Sequence, residues 1–220
     1  MIGIICALSS EIEEFKKALV LKEETKILKY VFYQGTINQH ECVIVQCGIG
    51  KVQAGVCTSL MIEHFNPSLV INSGIAGGFD KKLKTLDAVF AATVACYDID
   101  MTIDGKLFGC FENEKRFLKT KIACPKECIS GFLMTADKFA GNRQELEMVF
   151  DKYFKDIEVT CVDMESYAIC SVLDDNHIDW IVLRTISDLV GESEQIKSYY
   201  NFPELASKKS FDIIMNNFLN

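Results

Sequence analysis

Acidic residues stand at the ends of three apolar runs in this chain: Glu11 after residues 2–8 and Asp163 and Glu165 after 158–162, both leading into helix-like patterns, and Asp188 after 180–187. Any one acid in the first turn of a helix has an ordinary explanation, because it meets the positive end of the helix dipole. Glu11, taken alone, reads as such a capping-turn acid on the surface. Recurrence at the ends of several strands is different, since an open α/β sheet assembles its site outside the carboxyl ends of its strands. Carboxylates brought together there can divide the work of general acid and general base, each tuned by its surroundings.

Two glycine-bearing segments add backbone groups to that chemistry. Gly48-Ile49-Gly50-Lys51 precedes a helix-like run and can bring amides against an anionic or polar group. Gln53 stands where a third glycine would complete a dinucleotide fingerprint, so the motif is weak in that sense. Ser73-Gly74-Ile75-Ala76-Gly77-Gly78 follows an apolar run and predicts a tight turn whose backbone closely approaches a ligand.

The elements that must position these groups alternate along the chain. Strands are expected over 2–8, 27–37, 41–47, 68–72, 88–95, 128–135, 158–162 and 180–186. A helix capped by Ser9 or Ser10 carries Ile12, Phe15 and Leu19 on one face. Further helices are expected over 52–65, 142–154, 164–173 and from Pro203 to about 219. Residues 103–128 read as loop plus a short helix, and a polar segment follows Asp188. This is an α/β pattern with a mostly parallel or mixed sheet, expected as a single domain over 1–220.

Composition excludes several functions. With 23 Lys plus Arg against 31 Asp plus Glu, the net charge is −8, which argues against a nucleic-acid-binding surface. The ten cysteines contain no CxxC pair and lie mostly in apolar runs, as small hydrophobes do; the tetrahedral zinc spacings are absent, so no metal is expected. The N-terminal apolar run is short and followed by Glu11, Glu13 and Glu14, which predicts a strand rather than a signal peptide. No apolar run reaches the ~20 residues of a membrane span. Reduced thiols then suggest a cytoplasmic protein with neither membrane nor nucleic-acid partners.

Six segments together carry a resemblance: IGIICALSSE (2–11), CGIGKVQAG (47–55), PSLVINSGIAGGF (67–79), YDIDMT (97–102), CVDMESYAI (161–169) and VLRTISD (182–188). In order and spacing the chain resembles the 5′-methylthioadenosine/S-adenosylhomocysteine nucleosidases, members of the nucleoside phosphorylase superfamily. The resemblance implies a three-layer architecture with a central mixed sheet flanked by helices. It also implies an N-glycosyl hydrolase without cofactor, acting on a small-molecule nucleoside. Carried over by residue, Glu11 is implied as the base that activates water, and Asp188 as the acid that protonates adenine N7, its carboxyl group held by Ser187. Met164 and Glu165 are implied as ribose contacts, Phe139 as the ring stacked on adenine, and Ile75 as the point where the glycine-rich segment passes the ribose. Ala76, Gly77, Ala140 and Tyr199 join them as substrate-binding candidates. Ile49 and Met101 are implied to close the 5′-alkylthio pocket of a neighbouring subunit, hence a homodimer.

The chemistry asks for the same arrangement. Adenine leaves well only when protonated, so an acid must sit beside N7, with a pKa raised by burial or a neighbour. A second carboxylate on the opposite face, with room for water, follows the logic of inverting glycoside hydrolysis. A phosphorylase is the alternative within the superfamily, yet phosphate binding calls for arginine. Asn72 occupies the position where such phosphorylases carry one, and no arginine precedes Arg116. A related nucleosidase, such as a futalosine hydrolase, and a non-catalytic nucleoside-binding protein are the other readings, the latter at odds with the full carboxylate set.

Overall fold

The computed structural model describes residues 1–111 and 115–220. Its first strand, β1 (Ile2–Cys6), shows how the layers arise. Successive side chains of a strand point to opposite faces. Ile4 and Cys6 pack with Phe15, Ile44, Ile71 and Ile213, whereas Ile5 packs with Val43, Met61 and Val70. The first face is covered by α1 (Ser9–Ala18) and α6 (Pro203–Phe218), whose Phe15 and Phe211 rings meet edge-on at 5.1 Å. The second is covered by α2 (Lys51–Phe65) and α4 (Ser166–Asp175). The result is the expected central sheet between helical layers.

Beyond β1 the strands are β2 (Val20–Ile27), β3 (Tyr30–Ile37), β4 (His40–Gln46), β5 (Leu69–Gly78) and β6 (Ala88–Cys96). Then come β7 (Phe117–Lys119), β8 (Ile129–Thr135), β9 (Cys161–Asp163) and β10 (Asp179–Leu189), with α3 (Arg143–Tyr153) and α5 (Gln195–Asn201) among them. β1 lies parallel between β4 and β5, and β4, β3 and β2 continue outward antiparallel. On the other side β5 pairs with β10, β10 with β6, β6 with β8, β8 with β9, and β9 returns to β5. The sheet is mixed, and those strands close into a ring with α3 packed outside it on an aromatic cluster that includes Phe150.

Several elements differ from expectation, each for a physical reason. β2 occupies a stretch for which no element was expected before Ile27; VLKEETKI is charged and largely exposed, as suits an edge strand that must not pair further. The single strand expected over 27–37 is therefore a hairpin arm, turned at Leu28, whose φ is +54°. The glycine segment 73–78 is strand rather than turn. Its missing Cβ atoms serve close packing: one added at Gly74 would lie 2.7 Å from a Glu11 carboxyl oxygen, and one at Gly78 2.8 Å from Leu189. β9 begins at Cys161 rather than 158, and α4 at Ser166, which leaves Met164 and Glu165 in the junction. β10 runs past 186 through Asp188, with a register shift against β5 between Ile186 and Asp188. The polar segment after it contains α5. In 103–128, the short helix reduces to a 3₁₀ turn at Thr102–Asp104 followed by β7, and the part of that expectation falling on 112–114 lies outside the described residues. Among the described residues no helix is long and apolar enough to cross a membrane.

Candidate active site

Glu11 sits in the first turn of α1 and reaches back to cap it, as the local reading expects, but it is buried rather than on the surface. One carboxyl oxygen accepts the Ala7 and Leu8 backbone N–H groups, both at 2.8 Å, and the other accepts the Ile75 N–H at 2.9 Å. Burial pushes its pKa above the ordinary carboxylate value; the Arg184 charge and the three amides oppose that rise. Gly74 has to be glycine for this contact, since a side chain there would occupy the carboxylate's space.

Asp188 is buried near the end of β10. In a regular strand Ser187 and Asp188 would face opposite ways. The register shift of β10 re-aims them, so both line one cavity and the Ser187 hydroxyl donates to Asp188 Oδ2 at 2.6 Å. The other oxygen, Oδ1, accepts from Gln195 Nε2 at 2.7 Å. Burial raises the pKa of Asp188, against the pull of these two hydrogen bonds.

Glu165 holds the N-cap position of α4 and accepts the Gly50 N–H at 2.9 Å. Gly50 has φ +96°, a backbone state that glycine adopts without strain. The Gly-Ile-Gly turn thus does aim its amides at anions, and the anions belong to the protein: Gly50 serves Glu165, and Lys51 N–H serves Asp137 at 2.7 Å. Burial, and after it the charge of Asp163, push the Glu165 pKa up, with Glu11 contributing in the same direction. Asp163 itself has a different role. Its carboxylate pairs with the buried Arg184 at 2.8 Å and accepts from Thr135 Oγ1 at 2.6 Å and from the Ser166 backbone N–H at the start of α4. Arg184 also donates to the Asn72 carbonyl at 3.1 Å and to its side-chain oxygen. The guanidinium is therefore committed to Asp163, Asn72 and Ser166.

These acids surround one open cavity. Glu11, Glu165, Asp188, Ser187 and Met164 line it, together with Ile75, Ala76 and Gly77 from β5. Phe139, Ala140, Tyr199 and Ile49 line it as well, and the Phe139 and Tyr199 rings meet edge-on at 5.3 Å. Met101 does not; it stands before the 3₁₀ turn, and its expected role concerns a neighbouring subunit's pocket. Ala7, Leu8, Val162, Lys138 and Gln195 line the cavity without having been singled out. The first two contribute only backbone amides to Glu11, which no side-chain motif announces. Gln195 belongs to a short helix without apolar periodicity, seven residues past Asp188. Lys138 is the sole cation among the lining residues, and it pairs with Glu145.

Comparison with known proteins agrees with this geometry. The family model described as Phosphorylase superfamily matches residues 1–219. A 5′-methylthioadenosine/S-adenosylhomocysteine nucleosidase of Staphylococcus haemolyticus is 33% identical, covering 97% of each chain. The solved structure of such a nucleosidase from S. pneumoniae, with the transition-state inhibitor MT-ImmA, superposes with a TM-score of 0.88 at 25% identity, covering 97% of this chain and 96% of that one. The futalosine hydrolase of Helicobacter pylori shares the fold, with a TM-score of 0.86 at 24% identity over 97% of this chain and 94% of its own.

Proposed function

The chain belongs to the phosphorylase superfamily and, within it, to the 5′-methylthioadenosine/S-adenosylhomocysteine nucleosidases, and on that footing we propose how it hydrolyses the N-glycosidic bond of both nucleosides to release adenine. The observation that carries the mechanism is the convergence of three buried, separately held carboxylates on one cavity. Asp188, with a raised pKa, holds the proton that adenine N7 takes as it leaves. Glu11 takes a proton from the attacking water, its ionised form favoured by three backbone amides. Glu165 offers its carboxylate to the ribose hydroxyls, where negative charge favours an oxocarbenium-like sugar. Phe139 supplies a face for the base, and Ile75, Ala76, Gly77, Ala140, Met164 and Tyr199 complete the enclosure. We take residues 1–220 as one domain, a reading supported by strands from both halves of the chain interleaving in one sheet.

Water rather than phosphate is the acceptor in this reading. Phosphate is recognised chiefly by arginine and by free backbone amides. Arg184 is spent on Asp163 and Asn72, and the amides of the Gly50 turn are spent on Glu165 and Asp137. Mass spectrometry of the sugar formed from methylthioadenosine in phosphate buffer is expected to find free methylthioribose, with no rate gain from added phosphate. A sugar 1-phosphate would overturn the assignment.

The homodimer is supported by apolar side chains left in solvent: Ile49, which lines the cavity, is 47% exposed, Val52 and Val56 of α2 76% and 42%, and Ile103 beyond Met101 92%. Sedimentation is expected to give twice the 24.8 kDa chain mass, and Val52→Glu to shift the species toward monomer. A wild-type monomer at working concentration would refute it. Ten free cysteines support a reducing, cytoplasmic location.

A further inference from the structure

Gln195 is buried, lies seven residues beyond the acid, and has every polar atom of its side chain engaged. Its Oε1 accepts the Gly191 backbone N–H at 2.9 Å, and its Nε2 donates to the Ala140 carbonyl at 2.9 Å and to Asp188 Oδ1 at 2.7 Å. The two backbone partners fix which way the amide points, because an N–H can only donate and a carbonyl can only accept. The amine end must therefore face Asp188. A neutral amide cannot take a proton from the acid, so Oδ1 is held as an acceptor and the transferable proton is confined to Oδ2. On that side the Ser187 hydroxyl can accept the Oδ2 proton while donating to the Ala76 carbonyl, 3.3 Å away. Both protonation states of the acid thus have a complete set of partners.

We propose that Gln195 is the positioning residue of the acid: it fixes the rotation of the Asp188 carboxyl group, assigns the mobile proton to one oxygen, and ties that geometry through Ala140 to the loop bearing Phe139. This rests on the reading of Asp188 as the acid. The coupling gives α5 a purpose. The segment carrying the amide is short and mostly exposed, yet it places one buried donor between the group that gives the proton and the wall against which the base lies.

The test follows kcat against pH for adenine release from methylthioadenosine by Gln195→Leu and Gln195→Glu, with thermal unfolding alongside and Asp188→Asn as the reference. The Leu variant removes the donor, and the Glu variant changes one atom and so keeps the volume. Both are expected to lower kcat about tenfold through a misplaced acid, with a smaller change in KM. Both should also move the alkaline limb upward by about one pH unit, since a donor that favours the ionised carboxyl group is lost. A merely structural residue would change thermal stability and total activity but neither limb. Profiles that superpose on the wild type in the folded variants would overturn the proposal while Asp188→Asn remains inactive. Substantial activity in Asp188→Asn would instead overturn the assignment of the acid.

Discussion

Asp188→Asn is expected to lower kcat for adenine release by about 10²–10⁴-fold while leaving the fold and substrate affinity close to wild type. The separation of the two effects follows from the hydrogen bonds. Oδ1 of an asparagine still accepts from Gln195, as the carboxyl oxygen does at 2.7 Å. The new amide faces the Ser187 hydroxyl, which can turn to accept it and donate to the Ala76 carbonyl at 3.3 Å. No buried group is orphaned, so melting temperature should move little. What disappears is the proton. A carboxyl group with a raised pKa works as an acid below that pKa, and its activity fades as pH rises through it. With Asp188 as the proposed acid, the wild-type alkaline limb is expected to follow its titration and to be missing from the residual activity of the variant. Retention of more than a tenth of wild-type kcat, or a preserved alkaline limb, would remove Asp188 from this role.

How far the site was legible depends on whether a residue acts through its side chain or through the backbone around it. Glu11, Glu165 and Asp188 each follow an apolar run, and strand ends announce themselves in sequence. Ser73 to Gly78 announced closeness but not form. A glycine cluster reads as a turn, whereas here the strand continues and its bare backbone admits the Glu11 carboxylate. The register shift that turns Ser187 and Asp188 toward one cavity depends on how β10 lies against β5, a contact between residues more than a hundred positions apart. Asp163 and Glu165 stand two residues apart at one junction, and the partner that sets Asp163 apart, Arg184, twenty-one residues on, is found by the fold. Gln195 had no signal at all: its helix is too short for periodicity, and amides are common on surfaces.

The same packing explains why the acids are poor stabilisers. Burial is the first cause of the raised pKa values of Glu11, Glu165 and Asp188. A carboxyl group whose pKa is higher folded than unfolded stabilises the fold below its unfolded pKa and loses that contribution as pH rises through the folded value. These groups therefore weaken the protein where the enzyme works. The buried Arg184 cation works against this, lowering the pKa of Glu11 and Glu165, while its partner Asp163 pushes that of Glu165 further up. The pair keeps a cation near the acids while Arg184 itself stays engaged with Asp163, Asn72 and Ser166, which suits a hydrolase rather than a phosphate-binding site.

Glu11→Gln is expected to lose both rate and stability, and this sets it apart from the change at Asp188. Glu11 accepts three N–H groups with its two oxygens: Ala7 and Leu8 on one, Ile75 on the other. A glutamine has one acceptor oxygen. If that oxygen keeps Ala7 and Leu8, the new amine points at the Ile75 N–H, donor against donor, in a buried site; the opposite flip orphans the other pair. Either choice leaves a buried N–H unsatisfied, at about 1–3 kcal/mol, so the melting temperature should fall measurably. Removal of the base should lower kcat by about 10²–10⁴-fold. As the proposed base Glu11 acts when ionised, so activity is expected to appear as pH rises through its pKa; the acidic limb should vanish in the variant while the alkaline limb, assigned to Asp188 in the proposal, stays in place. Together with the opposite pattern in Asp188→Asn, this assigns each limb to one carboxyl group. An acidic limb that survives in a folded Glu11→Gln enzyme would mean that another group, with Glu165 first to be tried, activates the water.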